Sequence, residues 1–306
     1  MLRYLAVLLL CGTTIRPAYP DQDIGAIMGG RAGTAVVVEV DSGKIIATYH
    51  PEVAARTLAR PGSAFKPFTL LALLQSGKLR ATDSLTCRRN LHVGQHDLSC
   101  SHPQTGPLQA VSALAYSCND YFATFGSRLT AADLHDAFMR AGLGSPSGLT
   151  SDEATGSIAV PHTQEDLELQ AVGEGEMRVT PLEMLAAYRK LASRKTAPDT
   201  NDAERTVFAG LEAATEYGMA RLASVKGVKV AGKTGTSRND HGAWTHGWFV
   251  GYAPANKPEI AVVVFLERGT GPADAAPMAG EIFRKWFENK KPESNTENKN
   301  PEGKKT

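Results

Sequence analysis

Arg60-Pro61-Gly62-Ser63-Ala64-Phe65-Lys66-Pro67-Phe68-Thr69, residues 60–69, is the stretch around which the chain is organised. A serine and a lysine three residues apart open an apolar segment that runs from Phe65 to Leu74 and stops near Gly77. Helical i, i+3 spacing puts both side chains on one face, where an amine can take the proton of a hydroxyl. Ser63 is therefore a candidate nucleophile and Lys66 its candidate base. Pro61-Gly62 breaks the chain before the helix, and Pro67 falls in the first turn, where a missing N–H costs little. A helix apolar nearly all round is a core helix, so its N-terminus is held rigidly. Taken singly, Ser63 reads more readily as a helix cap than as a nucleophile.

Working outward, residues 33–49 alternate around Asp41-Ser42-Gly43-Lys44 and predict a β-hairpin. After a loop-rich connector over 80–108, helical patterns are expected from Leu108 to Phe122 and from Thr130 to Gly142. Thr180-Pro181-Leu182-Glu183 is a capping box with proline at the first helical position, opening a helix through Leu191. A further helix is expected over Thr206 to Ser224. The last third changes period: Val228–Ala231, Trp248–Tyr252 and Ile260–Glu267 read as strands, and Ala275–Phe287 as a closing helix. A hairpin, a helical middle, then strands and a helix imply an α/β (α+β) fold. Its central antiparallel sheet is built from both chain ends, with a helical lobe inserted between them.

With 42% hydrophobic and 21% charged residues, the 306-residue chain has the composition of a globular protein rather than a disordered one. A formal charge of +1 gives no basis for a nucleic-acid surface. Residues 1–18, with Arg3 before the apolar run Tyr4–Cys11, are expected to be an export signal or an N-terminal anchor. Lipidation at Cys11 ranks lower, because Leu10 precedes it where a small residue is wanted. Residues 19–32 form a lead-in, 33–288 the domain, and 289–306 a disordered polar tail. In an oxidising compartment Cys87 and Cys100 are expected to pair as a disulfide, leaving Cys118 as a buried thiol. Zinc is the rival reading, since His92, His96 and His102 lie in the same stretch, but no finger-type spacing is present.

Two later segments give residues 60–69 their meaning. They are Ala115-Tyr116-Ser117-Cys118-Asn119-Asp120-Tyr121-Phe122 and Ala231-Gly232-Lys233-Thr234-Gly235-Thr236-Ser237. Ser-x-x-Lys, Ser-x-Asn and Lys-Thr-Gly in that order are the motif set of serine acyl-transfer enzymes. The chain resembles the transpeptidase domain of penicillin-binding proteins over about residues 33–287, including Gly173-Glu174-Gly175-Glu176 and Trp248-Phe249-Val250-Gly251-Tyr252-Ala253-Pro254. The resemblance implies a β-lactamase/transpeptidase-like fold and an acyl-enzyme on Ser63. Lys66 would be the base, made neutral by burial and by the like charge of Lys233. Ser117 would relay a proton, and Asn119 would hold the substrate's amide backbone. Lys233, Thr234, Thr236 and Ser237 would bind a terminal carboxylate beside Gly235. The N–H groups of Ser63 and Thr236 would form the oxyanion hole. No cofactor and no metal is expected.

The implied reaction is peptidoglycan D,D-transpeptidation or D,D-carboxypeptidation on stem peptides ending in D-Ala-D-Ala, with β-lactam antibiotics as ligands and a cell-wall morphogenesis protein as partner. A serine β-lactamase is the runner-up. Class A β-lactamases resemble each other in a Glu-x-x-Leu-Asn loop that activates the deacylating water, and the nearest approach here, Glu165-Asp166-Leu167-Glu168-Leu169, has Leu in place of Asn. A non-catalytic β-lactam sensor is the third reading.

Overall fold

The computed structural model describes residues 21–290. The expected export signal (1–18) and the tail beyond residue 290 lie outside the described residues. Five antiparallel strands form the central sheet, in the order Ile45–Tyr49, Gly33–Glu39, Ile260–Leu266, Thr245–Ala253, Ala231–Arg238. Both chain ends thus build one sheet, as the hairpin-first, strands-last order requires. The third motif departs from its expected place: Lys233-Thr234-Gly235 lies inside the Ala231–Arg238 strand rather than after a Val228–Ala231 strand. Gly and Lys are weak strand formers, so this strand leans on its pairing with Thr245–Ala253, for example Lys233 opposite Val250.

The sheet is buried on both faces, which explains the apolar runs Ala35–Val38, Trp248–Val250 and Ile260–Leu266 in its central strands. Val36, Val38, Trp248, Val250, Val263 and Phe265 face the helical lobe. Val37, Phe249, Val262 and Val264 face a layer made by the Asp21–Met28 and Ala276–Asn289 helices, with Ile24, Phe283 and Trp286 packed against them. The Asp21–Met28 helix was not foreseen.

In the lobe, the Lys66–Gln75 helix is enclosed as its composition demands: Lys66, Phe68, Leu70 and Leu73 are buried. Phe65 meets Phe138 edge-on with ring centroids 4.5 Å apart, and Phe68 meets Tyr188 at 5.5 Å. Capping boxes start the Ala131–Ala141 helix (Thr130 with Asp133) and the Pro181–Ser193 helix (Thr180 with Glu183), both near their expected limits. The segment 108–122 is two helices, not one: Ala110–Ala115 and Asn119–Gly126, parted at Ser117 with φ 58°. The helix expected from Thr206 starts earlier, over Asp202–Glu216, capped by Asn201. It ends where Gly218 abuts the backbone of Ala115; a Cβ there would lie 2.3 Å from the Ala115 carbonyl oxygen. A helix over Gln164–Val172, which no expectation covered, carries Glu165–Leu169.

Candidate active site

Ser63 sits in a tight 3-10 turn, Gly62–Phe65, that leads into the Lys66–Gln75 helix. The turn is pressed against the Lys-Thr-Gly strand. Gly62 has φ +52°, and a Cβ on it would come within 2.6 Å of the Thr236 carbonyl oxygen. A Cβ on Gly235 would lie 2.4 Å from the Pro61 carbonyl oxygen. Gly235 is therefore needed for the approach of the Ser63 turn, where it was expected to admit the substrate. The turn is further tied to the sheet through one carbonyl: Arg60 O accepts from Ser237 Oγ at 2.6 Å and from Trp248 Nε1 at 3.0 Å. Ser237, read as a substrate ligand, is thereby committed to positioning the nucleophile segment. Thr236 is half-buried, and its hydroxyl oxygen accepts from Gly271 N at 3.0 Å, which leaves its proton to donate. Thr234 is buried beside it.

Two amines converge on Ser117. Lys66 Nζ donates to Ser117 O (2.8 Å), Ser117 Oγ (3.3 Å) and Asn119 Oδ1 (2.5 Å). Lys233 Nζ donates to Ser117 Oγ (2.8 Å) and Thr234 O (3.0 Å). Both lone pairs of the Ser117 hydroxyl are thus engaged, which leaves its proton to donate. The left-handed backbone at Ser117 is what turns its carbonyl and hydroxyl toward the same ammonium, a conformation that costs a non-glycine residue about 1–3 kcal/mol. Both lysines are fully buried. Burial pushes the Lys66 amine down to about 8, against the opposing pull of nearby Cys100, Cys118, Glu174 and Cys87. Lys233 is held well below the usual lysine range by burial and then by the charge of Lys66.

Among the described residues no hydrogen bond joins Ser63 Oγ to Lys66 Nζ, whose three donors are already placed. A neutral amine has one N–H fewer, and the longest of the three bonds, to Ser117 Oγ, is the one to yield. Asn119 also differs from expectation. Its Nδ2 donates to Leu98 O (3.1 Å) and Ser99 O (3.2 Å), so both amide hydrogens go to the 87–102 loop and none is left for a substrate.

The cysteine expectation is corrected. Cys87 and Cys100 are free thiols, not a disulfide. The reason is a third thiol: Cys118, from the middle of Ser-x-Asn, enters the same buried spot together with His102. His92 and His96 take no part, and His92 pairs with Asp97 at 2.5 Å on the surface.

One acidic group went unassigned in the sequence. Glu174 lies between Gly173 (φ +90°) and Gly175 (φ +81°), and a Cβ on Gly173 would collide with the Gly62 carbonyl oxygen at 1.9 Å. Gly173 thus packs on the nucleophile turn, and the charge of the next residue, Glu174, acts on Lys66. Burial pushes the Glu174 carboxyl up to about 7, opposed by the charges of Arg60, Lys66, Arg238 and Arg178. An acid flanked by two glycines next to a functional turn was the available signal. Glu165, the nearest counterpart of the class A water-activating glutamate, is exposed and its carboxylate lies beside Gly94.

A family model described as the penicillin binding protein transpeptidase domain matches residues 33–288. The peptidoglycan D,D-transpeptidase PbpA of Mycobacterium tuberculosis is 26% identical, over 89% of this chain and 71% of its own length. FtsI of Escherichia coli, named a peptidoglycan D,D-transpeptidase, is 26% identical over 82% of this chain and 50% of its own. Stage V sporulation protein D of Bacillus subtilis is 27% identical over 73% of this chain, and the match spans 41% of that protein. Among solved structures, PBP2 of Pseudomonas aeruginosa in complex with WCK 5153 superposes with TM-score 0.75 at 24% identity, covering 87% of this chain and 76% of that one. A peptidoglycan glycosyltransferase from Burkholderia ambifaria superposes with TM-score 0.77 at 21% identity, covering 87% and 93%. At these identities the superpositions speak to the fold.

Proposed function

The chain belongs to the penicillin-binding protein transpeptidase family, and from that premise we propose that it is a serine D,D-transpeptidase acting on peptidoglycan stem peptides. The observation that carries this reading is the pair of buried amines, Lys66 and Lys233, converging on the Ser117 hydroxyl beside the Ser63 turn. Neutral Lys66 takes the Ser63 proton as Ser63 Oγ attacks the carbonyl of the penultimate D-Ala. The negative charge that develops on oxygen is met by the N–H groups of Ser63 and Thr236, each worth about 3–4 kcal/mol when removed. Ser117 passes the proton to the departing D-Ala amine, which leaves as the peptide C–N bond breaks and the seryl ester remains. Lys233 with the Thr234 and Thr236 hydroxyls receives the terminal carboxylate. A second stem peptide's amine then displaces Ser63. Asn119 acts as a positioning residue for Lys66. Residues 33–288 carry this chemistry, and residues 1–18 direct or anchor the chain outside the cytoplasmic membrane; among the described residues no helix is long and apolar enough to span one.

The test is a pentapeptide ending in D-Ala-D-Ala offered with and without an amine acceptor. The expected result is D-Ala release with a transferred product when the acceptor is present. Fast turnover of a β-lactam with a vanishing adduct would instead identify a β-lactamase, and a lasting adduct with no peptide chemistry a sensor.

Because the neutral amine is the base, acylation should rise as pH rises through about 8. Ionised Glu174 favours the charged form of Lys66. Glu174→Gln should therefore shift the rising limb of the acylation profile to lower pH. An unmoved limb in stopped-flow acylation across the pH range would remove Glu174 from the site's electrostatics.

A further inference from the structure

Behind the Ser117 turn, one ligand atom from each of Cys87, Cys100, His102 and Cys118 lies within 4.8 Å of all the others, in a spot where the last three residues are buried. We propose that these four residues hold one zinc ion in a closed tetrahedral site that locks the 87–102 loop onto the Ser117-Cys118-Asn119 turn.

Distance separates this from the alternatives. Cys100 Sγ and Cys118 Sγ are 3.9 Å apart. A disulfide requires about 2.05 Å. Two thiolates on one tetrahedral zinc, each about 2.3 Å from the metal, stand about 3.8 Å apart. The histidine points to the metal independently. His102 is 1% exposed, and its Nε2 has no hydrogen-bond partner. Its Nδ1 lies 2.7 Å from the Pro103 carbonyl oxygen, so the proton belongs on Nδ1 and Nε2 keeps the free lone pair on a ring that lies in the cysteine cluster. An orphaned buried imidazole nitrogen costs free energy, and a metal bond relieves that cost.

The surroundings are those of bound thiolates. Each sulfur accepts a backbone N–H: Cys87 from Arg89 (3.3 Å), Cys100 from Asn119 (3.2 Å) and Cys118 from Tyr121 (3.4 Å). Three thiolates and one neutral imidazole give the zinc centre a net charge of −1. Arg89 supplies the nearby cation while clamping two ligand segments, through His102 O (2.7 Å) and Cys100 O (3.2 Å). Arg88 N donates to the buried Asp120 at 2.7 Å and ties the Cys87 end to the helix that Cys118 caps. Three sulfurs and one nitrogen with no open position suit a structural zinc rather than a hydrolytic one. Loading converts three thiols to thiolates with release of three protons, so affinity falls as pH falls.

The site also bears on the chemistry. Asn119 Nδ2 rests on the carbonyls of Leu98 and Ser99 in the loop, and its Oδ1 holds Lys66 Nζ. Metal on Cys118 and Cys100 thus fixes the partner of the proposed base. This second role rests on the transpeptidase reading; the metal site does not.

The full chain, purified without added metal under mild reduction, should carry one zinc by elemental mass spectrometry. Cys87, Cys100 and Cys118 should resist alkylation until a strong chelator is added, as read by peptide mapping. Cobalt(II) in place of zinc should give the visible spectrum of a tetrahedral thiolate centre. Cys87→Ser and His102→Ala should each weaken zinc binding by at least about 10–100-fold. Should both fail to fold, the parent chain's stoichiometry and thiol protection still decide. A metal-free parent with three reactive thiols, or with two of them oxidised to a disulfide, overturns the site. Chelation should slow penicillin acylation of Ser63 by about 10–100-fold. Zinc lost with acylation unchanged overturns the positioning role alone. A zinc-loaded chain that never acylates overturns the transpeptidase reading and leaves the metal site standing.

Discussion

Ser63→Ala protein should show no covalent adduct after prolonged incubation with a fluorescent penicillin, while the parent chain gains one acyl group that maps to residue 63. The loss should be at least about 10⁴-fold, since removing an enzyme's only nucleophile leaves what binding and the oxyanion donors supply. Little stability should be lost. Ser63 is half-buried, and its hydroxyl shares no hydrogen bond with Lys66 among the described residues. The turn around it is held instead by Arg60 O, by Gly62 on Thr236 and by Tyr188, whose hydroxyl donates to Ala64 O at 2.7 Å. A melting temperature close to the parent's with no adduct is the expected pair of readings. An adduct that persists in the variant would move the nucleophile elsewhere and sink the mechanism.

Lys66→Met should lower the acylation rate constant by about 10²–10⁴-fold, the range that a positioned general base contributes. Methionine keeps an unbranched chain of similar length in the buried space but supplies neither a proton acceptor nor a donor. Two effects on stability oppose one another. An amine that burial disfavours is removed, while Asn119 Oδ1 and Ser117 O lose their donor, at about 1–3 kcal/mol for each acceptor left unsatisfied. The melting temperature should therefore move less than the rate. The measurement is single-turnover acylation at saturating drug above pH 8, where Lys66 in the parent is neutral. A variant as fast as its parent would transfer the base's role away from Lys66.

Much of the fold was written locally. The Asp41–Lys44 turn, the Thr130 and Thr180 caps and the glycine after Ala141 each act within a few residues, so the elements they bound appear close to where they were expected. The Gln164–Val172 helix has the same local signal, Thr163 with Asp166. It was passed over because its apolar residues, Leu167, Leu169, Ala171 and Val172, lack a helical stripe: the helix is buried along several sides. The break at Ser117 had no glycine to announce it. That strained backbone is held by what meets it in space, the ammonium groups of Lys66 and Lys233.

By itself, the sequence determined the sheet's origin in both chain ends, the enclosed Lys66–Gln75 helix and the three segments that supply serine, lysine and strand. Tertiary structure alone decided what those side chains touch. It spent the Asn119 amide on Leu98 and Ser99, turned Gly235 toward Pro61, set Gly173 against Gly62, and brought Cys118 to Cys87, Cys100 and His102. Caps and periodicity act over one or two helical turns. The contacts of the site join residues as far apart as Arg60 and Ser237, and no local pattern encodes a meeting made only when the lobe packs on the sheet.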